Sequence, residues 1–191
     1  MEIAIEELDS AYRLLAGSVV PRPIAWVSTR GEVGENLAPY SFFNVVSVDP
    51  PVVMFAPVGT GEDLKDTPKN ILASEEFVVN IVTMDLAEAM NATSATVDES
   101  EFEHAGLERA ESVRVQAPRV AEAKVAFECE LYDFVEIGRS AMVLGEVVYA
   151  HVSDDVTTDG KVDVRKLDAV GRLSGSYYSS IRDRFSMERP P

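Results

Sequence analysis

The 191-residue chain has a single cysteine, Cys129, which excludes an internal disulfide and any multi-cysteine metal site. It lies in VAFECELYDF, where apolar alternation favours a core thiol over a reactive one. Histidine is almost as rare, and His104 and His151 have no carboxylates at ligand spacing, so no metal site is expected. Basic charge is scarce too. There are 17 basic against 33 acidic residues, a formal net charge of −16, and only five of the 17 are Lys. A phosphate backbone or an anionic membrane would be repelled, so neither is expected as a partner.

Two readings fit an acidic, Lys-poor chain of ordinary hydropathy. It is either an ordinary acidic cytosolic protein or, the favoured reading, one adapted to high salt, where screening relieves self-repulsion. No apolar run approaches a membrane span, and MEIAIEELDSAYRLL lacks a basic start and an apolar middle. A cytoplasmic location is the expectation. With no repeat and no Pro/Gly/Ser linker, the chain reads as a single domain over 1–191. It has neither GxGxxG nor GxxxxGK[ST], which removes the standard dinucleotide and P-loop signatures.

What is present is mostly strand. Runs rich in Val, Ile and aromatics cover 23–29, 37–43, 52–56, 77–82, 125–135 and 141–152. Arg30-Gly31-Glu32 and Gly34-Glu35 punctuate the first pair as a hairpin. Asp9 or Ser10 can cap a short helix ending near Gly17, and Asp66-Thr67-Pro68 has the sequence of a capped start to a second. A third helix is predicted over 85–93. The acidic stretch 95–117 reads as a solvated loop, since its carboxylates lack Ca-loop spacing. Few helices and no βαβ alternation predict a closed antiparallel β-barrel.

Three polar islands interrupt these strands: Ser28-Thr29, the stretch from Asn36 to Asn44, and Lys65-Asp66-Thr67. Buried polar atoms need partners, and such a cluster makes a bound polar ligand a natural candidate. Hydroxyls, an ammonium group and the free N–H groups of a helix start suit a phosphate. Ala38-Pro39-Tyr40-Ser41 offers main-chain donors and acceptors to the edge of a flat heterocycle. Singly, each island also reads as a strand end or a helix cap. Trp26 reads as core or interface, His151 as a barrel-rim residue with a structural hydrogen bond, and His104 as exposed. Arg22 can reach either a phosphate or an interface carboxylate.

In chain order, PRPIAWVST, NLAPYSFFN, DPPVVMFAPV, KDTPKNI, EEFVVNIV, APRVAEAKVAFECEL and GEVVYAHV resemble the flavin reductase-like, FMN-binding split-barrel family over roughly residues 10 to 178. The resemblance implies a mainly β fold with flanking helices, a six-stranded antiparallel Greek-key split barrel, and a homodimer with FMN near the interface. Carried across, Ser28 and Thr29 match the hydroxyls near the phosphate and ribityl chain. Asn36, Ala38, Pro39, Tyr40, Ser41 and Asn44 fall in the ring-binding stretch. Lys65, Asp66 and Thr67 match the phosphate turn. Gly171 to Tyr178 resembles the closing motif, with Ser174 where many relatives have Gly.

The implied activity is hydride transfer from NADH or NADPH to flavin, with no catalytic side chain nominated, and with a monooxygenase or an electron-transfer protein as further partner. An FMN-bound electron carrier reduced by a protein partner is the alternative. A binding module that has lost flavin is the third reading.

Overall fold

The structure, a computed structural model, describes residues 2–190. Its centre is one antiparallel sheet of seven strands. These are β1 (Ala25–Gly31), β2 (Gly34–Tyr40), β3 (Phe43–Val48), β4 (Pro51–Phe55), β5 (Glu76–Ile81), β8 (Val125–Ile137) and β9 (Ser140–Val152). Among the described residues, three short ladders lie outside it: β6 (Arg109–Ala110) with β7 (Arg119–Val120), β10 (Thr157–Thr158) with β11 (Lys161–Val162), and β12 (Val170–Arg172) with β13 (Tyr178–Ser180). In the sheet the order is β2-β1-β5-β8-β9-β4-β3.

The two edge strands, β2 and β3, follow one another in the chain, linked only by Ser41 and Phe42. Three Cα steps span at most roughly 11 Å. A seven-stranded sheet whose edges come that close must curl on itself, yet β2 and β3 share no ladder. The barrel is therefore split along the β2/β3 seam. This corrects two expectations: the run 37–43 is not one strand, and the main sheet has seven strands rather than six. The apolar run Leu37–Phe43 turns at Ser41, and the Val-rich segment after it forms a strand of its own on the other side of the seam.

Burial on both faces explains why β1 reads as an unbroken apolar strand. Inside the barrel, Ala25 and Val27 pack with Phe55, Phe77, Val79, Cys129 and Val143. Helix α2 (Asp66–Ser74) contributes Ile71 to that cluster, and so lies against the barrel. On the other face, Ile24, Trp26 and Leu37 pack under Leu86, Met90, Phe102 and Leu107. Cys129 is fully buried, and burial pushes its thiol pKa up, which makes it the inert core thiol expected.

Short helices flank the barrel. Helix α1 (Tyr12–Ser18) starts where Ser10 Oγ accepts from Tyr12 N at 3.2 Å. The predicted 85–93 helix is a 3-10 turn at Met84–Leu86 followed by α3 (Ala87–Ala92). The stretch 95–117 is not merely a solvated loop. It contains α4 (Glu101–His104), whose Phe102 is fully buried on Trp26 and Leu37, and Val115 and Ala117 pack against Val78. Apart from Glu101, which turns toward Asn36 and Leu37, its carboxylates are exposed while its few apolar side chains anchor it, a distinction that charge content conceals.

Candidate functional site

Strand β2, the start of α2, the segment after α3 and the start of α4 enclose a cleft of about 310 Å³. Asn36, Ala38, Pro39 and Tyr40 form one wall, and Lys65, Asp66 and Thr67 form a second. The structure thus brings together the second and third polar islands, which lie far apart in sequence. Lys65 is the N-cap residue of α2, and no side chain caps that helix. The N–H groups of Asp66 and Thr67 at its first turn are left for a ligand, and Pro68 has none to offer. An uncapped helix start beside an exposed lysine is suited to an anion.

A chain of hydrogen bonds crosses the floor. The Thr67 hydroxyl donates to Asn36 Oδ1, Asn36 Nδ2 donates to Glu101 Oε1 at 3.2 Å, and Leu37 N donates to Glu101 Oε2 at 3.3 Å. Tyr40 stacks at 4.8 Å on Phe55, and burial pushes its phenol pKa up to about 12, with Asp66 and Glu101 adding to the rise. At neutral pH Tyr40 therefore presents an O–H.

Ser28 and Thr29 are elsewhere. Both are fully buried in β1, where Ser28 Oγ accepts from Asn80 Nδ2 at 3.1 Å and Thr29 Oγ1 accepts from Asn70 Nδ2 at 3.0 Å. Asn70 also donates to Gly34 O at 2.8 Å and accepts from Val33 N at 3.2 Å, so α2 is latched to the β1–β2 turn. Gly31 permits this approach, because a Cβ there would sit 2.5 Å from Asn70 Oδ1. Ser41 and Asn44 lie at the seam. Ser41 Oγ accepts from Arg22 Nε at 3.4 Å, and Asn44 is exposed, with Oδ1 accepting from Val45 N at 2.8 Å.

The Arg22 guanidinium is buried against carbonyls, donating to Ala16 O at 2.5 Å, Val19 O at 2.7 Å and Leu173 O at 2.9 Å, which ties α1 to the segment that follows Val170–Arg172. Trp26 is core, with Nε1 donating to Thr93 Oγ1 at 2.8 Å. His151 holds Glu128, with Nε2 2.6 Å from Oε1. Within Gly171 to Tyr178, Arg172 donates to the Tyr178 hydroxyl, which itself donates to Asn91 Oδ1 at 3.2 Å beside α3. Ser174 is exposed.

Sequence reasoning missed two parts of the wall: Thr93, Ser94 and Thr96 after α3, and Glu101. The hydroxyl run Thr93-Ser94-Ala95-Thr96 at a helix end was a usable signal. Glu101 gave none, being one carboxylate among many.

The Flavin reductase like domain matches residues 16–167, and the chain belongs to that family. Nitrilotriacetate monooxygenase component B of Bacillus cereus superposes with a TM-score of 0.94 at 32% identity, covering 98% of each chain. The 2-nitrobenzoate 2-nitroreductase NbaA of Pseudomonas fluorescens gives 0.92 at 35% identity, covering 100% of this chain and 96% of that one. An uncharacterized protein of Aquifex aeolicus is 44% identical over 186 residues, 93% of this chain and 94% of its own. These relatives support a flavin-related oxidoreductase. Among the described residues, no helix is long and apolar enough to cross a membrane.

Proposed function

We propose that the chain binds FMN in the β2/α2 cleft and catalyses NAD(P)H-dependent flavin reduction. A bound flavin supplies the two-electron chemistry, accepting hydride from the reduced nicotinamide. The observation that carries the reading is the convergence of the Ala38–Tyr40 backbone with the uncapped α2 start, Lys65 and Asn36 around one opening. In this reading Lys65 Nζ and the Asp66 and Thr67 N–H groups hold the phosphate. The Ala38–Tyr40 segment, stiffened by Pro39, fixes the ring so that a nicotinamide can be aligned over it. Ser28 and Thr29 serve from behind, by holding Asn80 and Asn70.

Mixing the FMN-loaded protein with NADH or NADPH under anaerobic conditions and following the flavin absorbance tests the proposal. Bleaching is expected with at least one nucleotide. Flavin that stays oxidised with both fits the alternative, a carrier reduced by a protein partner, and a protein with no flavin affinity fits the third reading. The NbaA relative favours a further comparison: loss of a nitroaromatic in the same mixture would mark a flavin that stays bound and passes its electrons on. Release of reduced flavin would fit supply to a monooxygenase component.

We also propose a homodimer closed over β3, an unpaired sheet edge that exposes Val45, Val46 and Val48. Light scattering at twice the monomer mass is the expected result. Salt adaptation of a cytoplasmic protein remains our reading of the charge, and a melting temperature indifferent to molar salt would remove it.

A further inference from the structure

The cleft's charge is at odds with a phosphate. Among the described residues Lys65 is the one cation in its wall, and Asp66 and Glu101 are both carboxylates. A second depression, of about 430 Å³, shares Asn36, Asp66 and Glu101 with the cleft and adds Glu35, Asp98 and Glu99. Some of this acidity is balanced. Glu35 is clamped by Arg30 at 2.5 Å and Arg109 at 2.6 Å, and Glu99 faces His104 at 3.2 Å. Glu101 has no ion-pair partner among the described residues. It is held instead by the neutral donors Asn36 Nδ2 and Leu37 N, which fix its charge at the cleft without cancelling it.

The same bonds weaken Thr67 as a phosphate donor. Its hydroxyl proton goes to Asn36 Oδ1, and the Asn36 amide is turned that way because its N–H₂ end is taken by Glu101. Thr67 is itself buried, and with its proton given to Asn36 its hydroxyl has none left for a dianion. Lys65 and two helix N–H groups attract the phosphate; Glu101, Asp66 and a net charge of −16 oppose it.

Resting on the flavin-cleft reading above, we propose that Glu101 is a specificity residue that, together with Asp66 and the surrounding acidic field, cancels most of the affinity the flavin's 5′-phosphate would otherwise contribute. At low ionic strength the cleft takes riboflavin and FMN about equally, and FMN alone gains affinity as salt rises. That sign is opposite to the usual one for a phosphate site, where salt weakens binding. The added salt screens Glu101 and the surrounding acidic field more than it screens contact hydrogen bonds to Lys65 and the helix start.

The test is a pair of titrations, FMN and riboflavin, followed by quenching of flavin fluorescence. Each is run in about 0.1 M and about 1 M KCl, between which the Debye length falls from roughly 10 Å to roughly 3 Å. For the wild-type protein the FMN-to-riboflavin affinity ratio is expected within about threefold of unity at the lower salt and several-fold higher at the upper. Glu101→Gln should raise the ratio at low salt about fivefold, the worth of one unit charge at contact range in water, and flatten its salt dependence. Any loss of cleft geometry in the variant weakens both flavins together and leaves the ratio unmoved, so the ratio reads charge rather than folding.

An FMN preference above tenfold that falls with salt overturns the proposal, as does an unchanged ratio in a Glu101→Gln protein that binds riboflavin with wild-type affinity. If neither flavin binds the wild-type protein in either salt, the flavin-cleft reading itself fails, and the proposal goes with it.

Discussion

Two polar clusters in this molecule, each built around a carboxylate and backbone N–H groups, come out opposite. At the first, Glu128 is fully buried in β8 and accepts from the N–H groups of Val113, Arg114 and Val115 at 2.8, 2.6 and 3.2 Å, with His151 Nε2 at 2.6 Å. Burial pushes its carboxyl pKa up, but His151 and the three N–H donors outweigh that, and the net shift is downward. At the second, the β2/α2 cleft, the helix start has no cap and Lys65 has no ion-pair partner among the described residues. A polar cluster with every group matched holds the fold together. One that keeps donors free around an opening is built for something that arrives later.

The sharpest way to break this comparison is at the matched cluster. Glu128→Ala removes the acceptor for three backbone donors and His151, and should cost about 3–5 kcal/mol of stability, read by denaturant unfolding. The pH dependence follows in sign. Because the folded-state pKa is lowered, the Glu128 contribution is complete above the unfolded carboxylate range. It is lost as pH falls through the lower folded value, so wild-type stability should drop on acidification and the Glu128→Ala protein should drop less. An equal acid slope in both proteins would assign the effect to other carboxylates.

At the open cluster the effect should be on binding instead. Lys65→Ala is expected to weaken FMN by about 1.5–3 kcal/mol while leaving riboflavin affinity and the unfolding midpoint unchanged. Equal loss for both flavins would detach Lys65 from the phosphate and leave only a helix-start role. The smallest effect falls between the two regions. Gly31→Ala drives a Cβ toward Asn70 Oδ1, 2.5 Å away, and should cost about 1–2 kcal/mol of stability, with a slight loss of flavin affinity as α2 shifts. Unaltered stability would show that the Asn70 latch is not needed to seat α2.

Legibility in the sequence follows the range of the interactions involved. The start of α2 was readable from Asp66 and Pro68 because helix initiation is local, and the observed helix begins at Asp66, but the expected cap is absent: Lys65 holds the N-cap position and no side chain caps the helix. Most strands agreed to within a few residues for the same reason. Strand β3 was missed because nothing in the local sequence says that the chain must turn at Ser41 and run on along the other edge of the sheet. Ser28 and Thr29 read as ligand hydroxyls because β1 was taken as one strand of a hairpin. In the fold it lies between β2 and β5 with both faces covered, and its hydroxyls meet Asn80 and Asn70 instead. Phe102 was invisible amid the surrounding acidic residues, although it is fully buried and seats α4.

The sequence by itself determined the β-rich class, the ordered run of segments that ties the chain to its family, and the segments that meet at the cleft. These depend on local propensity, turn chemistry and residue order, all of which neighbours along the chain decide. Tertiary structure alone decided which polar groups keep a free donor. Whether a hydroxyl or carboxylate is matched depends on a partner from a distant segment, as Glu101 is from Asn36 or His151 from Glu128.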